Sequence, residues 1–194
     1  MVWNDLYNKR NQIDEVILPL SWYKSEAEDF QWVNSVEICK SIRLTKDAAL
    51  GFVIRKPGPE FPSIVDDFKI LTASDNDPRT DKIVAIKELM HCCENDVAFN
   101  VNSEERLDAL FNHFYGRTTE MSSTELFIQS EPIAFWKSLA LLTPENNRLL
   151  IKEDLEKNPH NESFWASELR VPEFIIDALV GPRFDFEVQT LLAV

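Results

Sequence analysis

His91, Cys92 and Cys93 stand together in the chain, and His113 follows a short way on. Imidazole and thiolate are the natural zinc ligands, and a thiolate beside a histidine base is also a nucleophile. The spacing argues against both uses. Adjacent cysteines do not form a C-x-x-C chelate, and further ligands would have to come from Cys39 or His160. No signature of a thiol enzyme surrounds Cys92, and Cys93 shares a helical face with Leu89 and Met90, which predicts a small buried hydrophobe. Carboxylates number 33, but Asp66-Asp67, Glu104-Glu105 and Glu153-Asp154 are sequence neighbours, which do not converge on a helix. Residues 75–81 lack the glycine and the closing glutamate of a calcium loop. With 4 glycines in the chain a phosphate-cradling loop has little material, and no Walker, G-x-S-x-G or H-E-x-x-H pattern occurs. No catalytic residue, metal or cofactor is assigned on these grounds. An enzyme with Cys92 or Cys93 as nucleophile stays as a lesser alternative.

A more specific spacing lies in residues 163–181, SFWASELRVPEFIIDALVG. Ala166 is the small residue needed where two helices pack closely. Leu169 and Val171 flank the turn, and Ile176 and Leu179 fall on the inner face of the second helix. Over these roughly 20 residues the chain resembles the repressor-type helix-turn-helix, which implies a transcriptional regulator as one reading. Two departures weigh against DNA. Arg170 stands where the motif turns through positive φ and usually has Gly. The second helix would offer Glu173 and Asp177 but no Arg, Lys, Asn or Gln for phosphates or base edges.

Aromatic side chains are the remaining resource. Trp22 and Tyr23 follow Pro19 and precede Ser25-Glu26-Ala27-Glu28-Asp29, which predicts an exposed loop with an aromatic tip among acids. Such a patch would bind a protein with a basic surface: Trp22 and Tyr23 as anchors, with Glu26, Glu28 and Asp29 steering.

The elements that must position these residues divide the chain in texture. Alternation at Phe30, Trp32, Val36 and Ile38, the run from Leu50 to Ile54, and Phe68, Ile70 and Thr72 predict strands. A helix capped by Thr80 or Asp81 follows, then a strand at Val97, Phe99 and Val101 and a helix opened by Ser103. The polar stretch Arg117–Thr124 is the expected joint. Beyond it short helices start at Ser130-Glu131-Pro132, Thr143-Pro144-Glu145, Asn161 or Ser163, and near Glu173, the last ending at Gly181-Pro182. The expected fold class is α+β. A mixed α/β part with a small sheet spans 1–117, and a mostly α-helical subdomain spans 124–194.

A net charge of −13 over 194 residues repels nucleic acid and favours a basic partner or plain solubility. Acids outnumber bases by 13 to 6 after residue 117, against 20 to 14 in residues 1–117. The one recognisable motif thus lies in the more acidic part. Apolar runs are too short to cross a membrane, no leader is visible, and three cysteines make a poor disulfide framework, so the cytoplasm is expected. The leading expectation is a non-enzymatic acidic protein that inhibits or adapts a basic or nucleic-acid-handling partner.

Overall fold

A computed structural model describes residues 3–47, 49–57, 65–94 and 124–193. The strand expected at 97–101, the helix expected from Ser103, His113 and nearly all of the expected joint lie outside them. The chain opens with two helices, α1 (Trp3–Asn11) and α2 (Leu20–Glu28), followed by β1 (Val33–Ser41), β2 (Gly51–Pro57) and β3 (Asp66–Ala73). Helix α3 (Pro78–His91) follows, and then α4 (Thr124–Leu142), α5 (Glu145–Lys157), α6 (Glu162–Leu169), α7 (Glu173–Val180) and α8 (Pro182–Leu192). This is an α+β fold with a small sheet early in the chain and helices late.

The sheet has β3 at its centre, parallel to β1 and antiparallel to β2. Phe68, Ile70 and Thr72 keep the expected alternation and are buried on one face of β3. Helix α3 packs on β2 so closely that a Cβ at Gly51 would lie 2.5 Å from Val84 Cγ1. Residue 51 therefore has room only for glycine.

Several expectations are corrected. Residues 1–62 read in sequence as mixed with strand signals dominant, but the first 30 hold the helices α1 and α2. The inward face of α1 is Trp3, Leu6 and Arg10, and that of α2 is Tyr23, Glu26 and Ala27. A charged residue at a buried position breaks each apolar stripe, so the helical period is hidden. The cap of α3 is Asp77, not Thr80 or Asp81. Its carboxylate accepts the Arg79 and Thr80 N–H groups, and Pro78 takes the first-turn place where a missing N–H costs nothing. Pro132 does not start a helix but lies inside α4. The burial of Ala134, Trp136, Leu139 and Ala140 after it outweighs the lost backbone bond. Gly181-Pro182 does not end the helical part either, because Pro182 begins α8.

One hydrophobic cluster joins both parts of the chain. It runs from Leu6, Tyr23, Phe68 and Ile86 through Leu139 and Ile151 to Leu169, Ile176 and Val188. At its centre the fully buried Arg10 donates to five backbone carbonyls: Ile13, Glu15, Val16, Leu141 and Leu142, at 2.8–3.4 Å. Two of these are orphan carbonyls at the end of α4. Asn11 Oδ1 accepts the Glu145 N–H at 2.7 Å, so α1 also caps α5.

Candidate functional site

The helix-turn-helix spacing folds as its apolar positions require. Ala166, Leu169, Val171, Ile176 and Leu179 are all fully buried, and α6 and α7 meet across a short turn. Arg170 in that turn has φ 55° and ψ 47°, the one non-glycine residue at positive φ among the described residues. The left-handed turn is thus made by an arginine, at a conformational cost on the order of 1 kcal/mol.

Two polar anchors hold this pair of helices. The Asp154 carboxylate of α5 accepts Trp165 Nε1 at 2.7 Å, Asn161 at 2.9 Å and Asn158 at 3.1 Å. Those hydrogen bonds hold its pKa below the ordinary value. The buried Arg148 grips the Glu145 carboxylate through two 2.7 Å bonds, reaches Asp185 Oδ1 at 2.6 Å, and donates to Leu179 O at the end of α7. Its guanidinium also stacks on Phe184, 4.4 Å from the ring centre.

With Ile175, Ile176 and Leu179 facing inward, α7 shows Glu173, Phe174 and Asp177 to solvent. Glu173 and Asp177 are one turn apart on the same face, and Phe174, 59% exposed, lies beside both. Helix α6 adds Glu162, whose carboxyl shares a hydrogen bond with Asp177, and Ser163, which bonds Glu173. That bond with Asp177, together with the charges of Asp177 and Glu173, raises the Glu162 pKa above its ordinary value. The raised pKa means that the folded state favours the protonated carboxyl, a contribution that is lost as pH rises. Among the described residues no lysine, arginine or histidine forms an ion pair with Glu162, Glu173 or Asp177. Phe164, 54% exposed, extends the apolar surface on α6. The arrangement can take up a cationic side chain and cover it with a ring face.

The patch expected at residues 22–29 is not brought together in this way. The expected exposed loop is helix α2. Tyr23 is buried with its hydroxyl donating to Leu141 O at 3.2 Å, and burial pushes its pKa up to about 12. Glu26 is buried and paired with Lys9 at 2.6 Å, and Trp22 is half-buried. Glu28 accepts the Val36 N–H, and only Asp29 is exposed. The cause is the stripe Tyr23, Glu26, Ala27, Phe30, in which a buried acid occupies an apolar position.

The cysteines do not join His91. Cys92 is buried and its backbone carbonyl accepts Trp32 Nε1 at 2.8 Å. Burial pushes its thiol well up, and pushes that of Cys93 up to about 12. Both are therefore protonated at neutral pH. Iodoacetamide at pH 7.5 is expected to label Cys92 and Cys93 of the native protein at least tenfold more slowly than after unfolding in urea. Fast native labelling at either residue, mapped by mass spectrometry, would restore the nucleophile reading.

His91 instead meets carboxylates. Its Nε2 lies 3.2 Å from Glu131 Oε1 and 3.9 Å from Glu88 Oε2. Glu88, His91 and Glu131 are the one trio of metal-ligating type grouped this closely among the described residues. Lys87 already supplies a cation there: its ammonium is 2.7 Å from Glu88 Oε1 and contacts Glu131. Nothing in the sequence flagged this cluster, because Glu131 comes from α4, 40 residues beyond His91 in the chain.

The fold and exposed face define a class: a small acidic α+β protein bearing a helix-turn-helix-like unit whose outer helix is anionic. No protein family, curated protein or solved structure matches the chain.

Proposed function

We propose that this protein is a cytoplasmic, non-enzymatic binding protein that docks the α6–α7 face onto a basic surface of another protein, and so inhibits or adapts it. One observation carries the reading: Glu162 interacts with Glu173 and Asp177, which flank the exposed Phe174, and among the described residues no cation forms an ion pair with the three. A partner's arginine or lysine would relieve their repulsion and stack on the ring, the combination found at interface hot spots. The acids would also steer a basic partner from a distance, within a chain of net charge −13.

A second reading has one specific observation in its favour. The left-handed Arg170 gives residues 162–180 the turn of a DNA-reading unit. The face that would enter the groove is acidic, however, and phosphates would be repelled. A mobility-shift assay with generic duplex at 50 mM salt is expected to show no binding. Protein capture from the native source at the same salt is expected to retain a basic protein and to release it at 500 mM. Retention of duplex, or no protein retained at low salt, would overturn the proposal.

A further inference from the structure

The turn between α6 and α7 also borders an open cleft of about 740 Å³. One wall is the apolar segment of residues 17–20. The charged groups at the cleft are Lys40 from the end of β1, Asp81 and Lys82 from the first turns of α3, and Arg170 from the turn itself. Three of those four are cations, in a chain where acids outnumber bases by 33 to 20. Asp81 and Lys40 answer each other, at 3.4 Å. The other two are unanswered, since neither Lys82 nor Arg170 has an ion pair among the described residues. The Lys82 ammonium makes one long contact, to Leu169 O at 3.4 Å. Partial burial, with the charges of Arg170 and Arg10 close by, lowers its pKa from 10.5 to about 8. An anion in the cleft would reverse that strain. The volume is that of a small-molecule site, and an apolar wall with a few convergent charges is how such sites are lined.

The position of Arg170 adds to the case. A left-handed residue is most stable as glycine, so an arginine kept there is kept at a conformational cost. Arg170 is among the residues lining the cleft, where its guanidinium offers a charge that glycine could not supply.

We propose that this cleft binds a small amphipathic anion, its head held between the Lys82 ammonium and the Arg170 guanidinium and its apolar body laid along residues 17–20. The site does not overlap the α6–α7 acidic face and stands whether or not that face binds a protein.

Isothermal titration of the full chain at constant ionic strength with octanoate, octyl phosphate and inorganic phosphate tests it. At least one octyl compound is expected to bind, and which one binds tells a carboxylate head from a phosphate head. Lys82→Met is expected to weaken that binding at least tenfold. For wild type, affinity is expected to fall as pH rises through about 8, where Lys82 loses its proton. Arg170→Gly keeps the test independent of folding defects. It relieves the left-handed arginine, so its melting temperature is expected to rise while binding weakens several-fold. Binding of inorganic phosphate as tight as that of the octyl compounds would overturn the role of the apolar wall. No binding by any of the three, or equal binding by wild type, Lys82→Met and Arg170→Gly, would overturn the site.

Discussion

Arg10→Met is expected to cost about 4 kcal/mol of folding stability, read as a lower urea midpoint at unchanged slope. Methionine matches the reach and apolar stem of arginine but donates nothing. Five backbone carbonyls, those of Ile13, Glu15, Val16, Leu141 and Leu142, would lose this donor, while Leu141 O would keep the Tyr23 hydroxyl. Each buried polar group left unpaired costs roughly 1–3 kcal/mol, less where water can enter beside the 13–16 segment. The sum is a large share of the roughly 5–15 kcal/mol that holds such a domain. Arg10→Lys, with three donors on one nitrogen, is expected to recover less than half of it. A loss under 1 kcal/mol for the methionine variant would mean that Arg10 does not tie α1 to the end of α4.

The same residue explains what was legible in the sequence. The strands at Val36, Phe52 and Phe68 and the helix at Ile83–Met90 were readable because most of their inward positions are apolar, enough to carry the period past the buried Arg55, Thr72 and Glu88. Helices α1 and α2 were not, because Arg10 and Glu26 sit at inward positions and erase the period. Helix α5 was readable from its start at Thr143-Pro144-Glu145, but not its inward face, where Arg148 and Ile151 are buried and the neighbouring Leu149 and Leu150 face solvent. Local rules read polarity as exposure, and Arg10, Glu26 and Arg148 are buried and paired inside the fold instead. The helix-turn-helix positions were legible down to the residue that must turn left-handed, since that motif is local and its apolar pattern intact. The acidic face of the second helix followed from it. That Glu162 joins that face, and that Lys82 and Arg170 line one cleft, depends on packing between elements and left no trace in spacing.

The second large effect concerns the buried network at Glu131. Burial alone would raise this carboxyl. A hydrogen bond from His91 and the charges of Lys87 and His91 more than reverse that, and leave it at about 2 against an ordinary 4.5. A depressed carboxylate stabilises the fold fully above its unfolded pKa and loses that contribution as pH falls through the folded value. The window is therefore from about pH 4.5 down to about pH 2. With a third of the side chain exposed, the contribution is on the order of 2 kcal/mol after allowing for solvent screening. Glu131→Gln is expected to lower stability by that amount at pH 7 and to flatten the acid slope between pH 4.5 and 2. Equal pH profiles for wild type and Glu131→Gln would show that Lys87 and His91 do not act through this carboxylate.

Among the described residues Glu162, Glu173 and Asp177 have no ion-pair partner, which fits the proposal that another molecule completes them. A binding face that must accept a cation stores repulsion when empty, much as active sites store strain. Removing their charge should therefore raise stability while removing function, the opposite of what a merely structural cluster would do.

The most direct measurement compares wild type with Glu162→Gln/Glu173→Gln/Asp177→Asn in capture from the native source at 50 mM salt, with melting temperatures recorded for both. A basic protein retained by wild type and lost by a variant that melts no lower is the expected result. Equal retention by the two proteins, or no retained protein with wild type, would contradict the acidic face as the docking surface.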